Sequence, residues 1–244
     1  MWNLVALALS PVVVLITYVY FNDRHEREPI LLLIWAFVLG VFSVLPTLLF
    51  SFGWSALGFE LDNQRLSSTF TYAFLVVACS EEVAKFIMLR LFLYRKRAFD
   101  EPYDGIMYTM MIGMGFAAVE NLLYVFGQPT YVDSLTVGGW RAITAVPAHA
   151  TFAILMGYYA GKAKFAKSGK TGWLFAGLLA AVVFHGAYDF FLMQKVVPGM
   201  VLGAFASLLV AVVLSVRAIR YHQRVSPHRV VDPPVMGEED QPRW

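Results

Sequence analysis

A single cysteine, Cys79, and no His-Glu-x-x-His run occur in the 244 residues of this chain. One cysteine excludes an intrachain disulfide and a cysteine-based metal cluster. The missing motif excludes the zinc-peptidase layout in which one helix supplies two histidines and a glutamate. Cys79 stands two positions before Glu81, which leaves open a nucleophile or a small packing residue. Charge is sparse: Asp, Glu, Lys and Arg make up 15% of the chain, with a formal net charge of +2, and no nucleic-acid partner is expected. There is no 20–50-residue repeat and no low-complexity tract. No basic segment precedes the first apolar run and no small-x-small site precedes Asn22, so that run is expected to remain a membrane helix rather than a cleaved signal.

Apolar residues fill the space that charge leaves. They form 59% of the chain, in runs matching the 20 or so residues needed to cross a hydrocarbon core. The expected fold class is all-α, a polytopic transmembrane bundle of about seven spans near 2–21, 30–52, 69–93, 105–127, 139–161, 172–193 and 198–217. Residues 1–217 read as one transmembrane domain with its motif core at 69–193, and 218–244 as a cytoplasmic tail that is Pro-rich and polar from Ser226 onward. Basic residues follow alternate spans: Arg24 and Arg27, then Arg95, Lys96 and Arg97, then Lys162, Lys164, Lys167 and Lys170, then Arg217, Arg220, Arg224 and Arg229. The opposite loops hold Arg65, Arg141 and Lys195. That asymmetry places the N-terminus outside and the C-terminus in the cytoplasm. Asp23, Glu26 and Glu28 read as solvated loop charges.

Against this background Ser80-Glu81-Glu82-Val83-Ala84-Lys85 stands out inside the third apolar run. Each such charge facing lipid at a helix centre would cost about 2.5–3.5 kcal/mol, so these side chains must face other helices, water or a metal. Three further spans offer polar groups: Glu120-Asn121, His149 after Pro147, and His185 with Asp189. At 1.5 Å per residue from the expected outer ends, Glu120 lies about 10 Å deep, His185 about 12, His149 about 15 and Glu81 about 18. A shared depth in the outer half of the membrane points to one site.

Spacing adds chemistry, because residues three or four apart share a helix face. Lys85 falls four after Glu81 and three after Glu82, where it can neutralise one carboxylate and divide the pair into unlike roles. Asp189 falls four after His185, where it can orient the imidazole or join it as a ligand. Each group also has a plainer reading: an intramembrane ion pair for Glu81 and Lys85, interhelical hydrogen bonding for His149 and Asn121, and lipid-facing or core packing for Met107, Met110, Met111 and Met114. Carboxylates and histidines from separate helices can hold Zn²⁺ by three protein ligands with a fourth position open, an arrangement that hydrolyses amides.

Taken in order, Glu81-Glu82-x-x-Lys85, Phe116-x-x-x-Glu120-Asn121, Pro147-x-His149 and His185-x-x-x-Asp189 resemble the PrsW family of bacterial intramembrane proteases, itself distantly similar to CAAX-type prenyl-protein proteases and to the scaffold subunit of gamma-secretase. The resemblance covers residues 69–193. It implies a glutamate-dependent intramembrane metalloprotease of the bacterial cell membrane, cutting a single-pass membrane protein near its extracytoplasmic boundary, as in first-site cleavage of an anti-sigma-factor-like regulator. Carried over by position, it implies Glu81, Glu82, Lys85, His185 and Asp189 as catalytic residues, with Glu120, His149 and His185 binding a divalent metal, Zn²⁺ first among them, or positioning the attacking water; without a metal, Glu81 and Glu120 would hold that water and His185 would stabilise the oxyanion. The CAAX-type span-four motif ends in histidine where this chain has Glu120. Other classes that use buried Glu, Lys and His are a proton-coupled transporter, a b-type haem protein with His149 and His185 as axial ligands, and a non-catalytic membrane scaffold.

Overall fold

The computed structural model describes residues 1–23 and 27–228; Arg24, Glu26 and Arg229, and the tail from 229 onward, lie outside the described residues. All regular structure among them is helical. Seven long helices are α1 (Trp2–Asn22), α2 (Ile30–Ala56), α3 (66–93), α4 (Pro102–Phe126), α6 (Ala145–Phe165), α7 (Lys170–Met193) and α8 (Val201–Val225), with a short α5 (Tyr131–Ile143) between α4 and α6. Five of them, α1, α2, α4, α7 and α8, are long and apolar enough to cross a membrane. The other two long helices, α3 and α6, carry the Glu-Glu-Lys cluster and His149.

Apolar side chains cover the outside of the bundle, among them Val13 and Val14 on α1, Leu45 and Leu49 on α2 and Leu209 on α8. Such a surface suits hydrocarbon, and helices satisfy their own backbone groups there. At the centre runs α4, packed along α6, α2 and α1. The approach is close because glycines face backbone. A Cβ on Gly115 would run into the carbonyl oxygen of Phe37 on α2, and one on Gly40 of α2 into that of Ile112 on α4. Small residues at a helix crossing permit this backbone contact. Met107, Met110, Met111 and Met114 are all buried in this core, which settles their position as packing rather than lipid-facing.

Four features depart from the sequence reading. Span five, expected over 139–161, is broken at Thr144, whose φ of −125° and ψ of −70° end α5 before α6 begins. Pro147 sits in the first turn of α6, where its missing N–H costs no helical hydrogen bond. α5 starts on a reciprocal cap: Thr130 Oγ1 accepts from the Asp133 N–H at 3.1 Å and donates to Asp133 Oδ2 at 2.7 Å. The second departure lies in α3, where π-helical turns at Tyr72–Cys79 and Leu89–Leu93 flank the α-helical Ser80–Met88. Such turns are uncommon and cluster at functional sites. The third concerns Asp23 and Glu28, which are buried rather than solvated; the Tyr108 hydroxyl on α4 donates to Glu28, tying the α1–α2 loop to the central helix. Helix α8 also runs on to Val225.

Candidate active site

Four helices bring their polar groups to one buried centre. From α3 come Glu81, Glu82 and Lys85, from α4 Glu120, from α6 His149, and from α7 His185 and Asp189. Glu81, Glu82, Lys85, His149 and His185 are all 6% exposed or less. The Lys85 ammonium donates to Glu82 Oε1 at 2.8 Å and to Glu81 Oε2 at 3.1 Å, and lies 3.4 Å from His149 Nδ1. It also sits 4.1 Å above the Phe116 ring. The i, i+3 and i, i+4 spacing within one helix thus holds a cation against both carboxylates.

The two histidines are placed alike. His149 turns Nδ1 toward the centre and Nε2 toward Glu120 Oε2, 2.7 Å away. His185 turns Nδ1 toward Glu82 Oε1 at 2.9 Å and Nε2 toward Asp189 Oδ2 at 3.3 Å. Each imidazole therefore presents one nitrogen to the cluster and the other to an outlying carboxylate, the arrangement that orients metal-binding histidines. Phe152 stacks on His185 and fixes its plane.

Ligand atoms of Glu81, Glu82, His149 and His185 all lie within 4.8 Å of one another. Two carboxylates and two imidazoles are a donor set that Zn²⁺ accepts. Charge agrees: among the described residues, the carboxylates of Glu81, Glu82, Glu120 and Asp189 face two permanent cations, Lys85 and Arg141, so a divalent ion would balance the centre. Lys85 now occupies lone pairs such an ion would share. Glu120, expected from the resemblance among the metal-binding residues, lies outside this group of four and is held instead by Arg141 Nη2 at 2.7 Å and by His149.

Sequence reasoning missed Arg141, counting it as an outer-loop charge. On α5 it reaches inward, donating through Nε to Asn121 Oδ1 at 2.7 Å and stacking 4.0 Å from the Tyr124 ring. Asn121 in turn donates to the Ala8 carbonyl of α1 at 3.0 Å. The cap sequence Thr130-x-x-Asp133 was the available sign that a separate helix begins there.

A cavity of about 1000 Å³ borders the cluster. Glu81, Glu120, Arg141, His149, His185 and Asp189 line it, whereas Glu82 and Lys85 lie behind that wall. Leu48 and Ser51 near the end of α2, Tyr72 near the start of α3, Gln128 after α4 and Met193 at the end of α7 also line it. The cavity therefore faces the end of the bundle where these helices turn. Cys79 is half-buried and free, and is not part of the lining.

A family model described as PrsW family intramembrane metalloprotease matches residues 28–218. The chain belongs to the PrsW family. It is 35% identical over 205 residues to Protease PrsW of Geobacillus kaustophilus, covering 84% of this chain and 86% of that one. It is 36% identical over 194 residues to Protease PrsW of Clostridioides difficile, covering 78% and 79%. For Protease PrsW of Bacillus subtilis the figures are 32% over 194 residues, 79% and 84%. No solved structure matches the chain. The protein is accordingly a multi-pass membrane protease.

Proposed function

We propose that the protein is an intramembrane endopeptidase that hydrolyses a peptide bond of a single-pass membrane protein, with Glu81 as the general base. The observation that carries this reading is a single polar wall: Glu81, His149 and His185 line a cavity large enough for an extended segment, with Glu82 and Lys85 directly behind. Lys85 engages both carboxylates, but Glu81 is the member of the pair that lines the cavity, whereas Glu82 lies behind it with His185 Nδ1 as a further partner. Glu82, His149 and His185 would hold a divalent metal, with Zn²⁺ favoured by the two-histidine, one-glutamate set. When bound, that ion supplies Lewis-acid polarisation of the scissile carbonyl.

The chain's own residues account for the rest. Glu81 takes the proton from attacking water and returns it to the leaving amine. Glu120 and Asp189 hold the Nε2 atoms of His149 and His185, keeping each Nδ1 on the centre. Lys85 holds Glu82 in place while neutralising part of the buried charge. Apolar lining from α2, α7 and α8 restricts bulk water around the reacting bond.

The Lys and Arg bias puts the cavity end on the extracytoplasmic side of a bacterial cell membrane. A substrate strand unwound near that boundary is the matching target, and an anti-sigma-factor-like regulator is the leading class by family resemblance. The test is cleavage of a reconstituted single-pass substrate by wild type, His149→Gln and His185→Gln, with zinc content measured in the same samples. Joint loss of zinc and cleavage in both variants supports the assignment. Full cleavage by either variant overturns it.

A further inference from the structure

We propose that Arg141 is a positioning residue for the reaction, fixing the His149 tautomer through Glu120. This rests on the protease reading above for its consequence but not for its geometry. Lys85 is a donor only, so its approach to His149 Nδ1 at 3.4 Å favours that nitrogen as an acceptor. Glu120 is held by a guanidinium that does not lose its proton, so its carboxylate accepts and the facing His149 Nε2 must carry the hydrogen. Both ends of the ring favour the same neutral tautomer, the Glu120 end by a 2.7 Å bond and the Lys85 end by a 3.4 Å approach, leaving Nδ1 for the centre.

The two imidazoles differ in how their outlying carboxylate is secured. Asp189 rises from the same helix as His185, four residues on, and the helix itself sets its place. Glu120 comes from a different helix than His149 and needs an external hold. Arg141 supplies it: Nη2 donates to the same Oε2 that accepts from His149, each at 2.7 Å. Arg141 is itself fixed on two sides. Its Nε donates to Asn121 Oδ1, whose amide is oriented by the Ala8 carbonyl, and its plane lies against Tyr124. A chain of directed bonds thus runs from the backbone of α1 to the imidazole of α6. Without the guanidinium, Glu120 loses the partner that keeps Oε2 on the ring, and only the long 3.4 Å approach of Lys85, whose shorter bonds go to Glu82 and Glu81, still favours that tautomer, so His149 samples both.

The experiment is ¹⁵N NMR of ring-labelled histidine in the full-length, detergent-solubilised protein, recorded as purified and again after chelation so that a metal on Nδ1 does not itself set the tautomer, with His149 assigned by His149→Gln, in wild type, Arg141→Lys and Arg141→Ala. The expected result is a single Nε2–H tautomer in wild type, a mixture in Arg141→Ala, and an intermediate spectrum in Arg141→Lys, which keeps the charge but reaches only one partner. Cleavage in the same samples should show kcat for Arg141→Ala reduced about 10–100-fold, as for other residues that orient a ligand, with KM little changed. An unchanged His149 spectrum in Arg141→Ala overturns the inference, as does a rise in KM with kcat preserved, which would make Arg141 a substrate contact. A tautomer shift in a wild-type background that cleaves no single-pass substrate would uphold the positioning and overturn the protease reading instead.

Discussion

Phe152 lies flat against the imidazole of His185, their ring centroids 4.8 Å apart and their planes 18° from parallel. The stack joins α6 to α7 and limits rotation of a ring whose two nitrogens already face Glu82 and Asp189. Phe152→Leu keeps most of the apolar volume but removes the flat surface. Cleavage should fall roughly 10- to 100-fold, since misplacement of a reacting group by about 1 Å carries a cost of that order, while the thermal midpoint changes little. Steady-state cleavage beside a thermal melt in detergent checks this, and unchanged kcat would show that the stack is packing alone.

Glu81 and Glu82 should separate when each is replaced by Gln. Glu81→Gln is expected to lose cleavage while retaining metal, because its carboxylate faces the cavity. Glu82→Gln is expected to lose both, since Lys85 and His185 bind the carboxylate that would also hold the ion. Metal analysis beside cleavage checks the pair, and loss of metal in Glu81→Gln with its retention in Glu82→Gln would reverse the two roles.

Gly115→Ala should destabilise the bundle by about 1–3 kcal/mol, the usual range for forcing atoms into a filled core. The new Cβ meets the backbone of Phe37, which cannot rotate away as a side chain would. Gly139→Ala on α5, where no atom lies within 4 Å of the new Cβ, is the control. Melting temperatures of the two variants should differ accordingly, and equal values would show that the α2–α4 crossing relaxes freely.

Glu28 lies outside the spans, and burial holds its carboxyl above the usual range, partly offset by hydrogen bonds from Tyr108 and Asp104. The folded protein therefore keeps this proton to higher pH than the unfolded chain does. Stability from this group is full below the ordinary carboxyl value of 4.5 and declines as pH rises above it. Glu28→Gln should flatten that decline. Thermal midpoints at about pH 5 and about pH 8 should differ less in the variant than in wild type, and an equal slope would remove Glu28 as its source.

Cys79→Ala should cleave near the wild-type rate, because the thiol is not part of the cavity lining. A dead variant of normal stability would bring back a nucleophilic cysteine.

The sequence makes the helical class and the membership of the polar centre readable for a physical reason. Glu81, Glu82, Lys85, Glu120, His149 and His185 are costly in apolar surroundings, so their positions inside apolar runs already say that they face one another. What hydropathy does not encode is where a run breaks. Thr144 lies within an apolar stretch, and only its backbone angles separate α5 from α6. Reading through that break made Arg141 an outer-loop charge and hid its bond to Glu120. The π turns of α3 were equally illegible, since Tyr72–Cys79 has the same composition as any apolar helix. Glu28 shows the converse: a charge in a loop looks solvated until a distant tyrosine, here Tyr108, is found to cover it.

The glycine seam between α2 and α4 has a mechanical consequence. Where two backbones touch, neither helix can tilt toward the other, so that side of the cavity behaves as a stiff panel. Helix α5, by contrast, rests on α1 and α4 through the side chains of Leu7 and Val125 beneath Gly138, a cushion that deforms. The two walls of the cavity therefore differ in stiffness, the α2–α4 wall set by backbone contact and the α5 wall by side chains that can change rotamer.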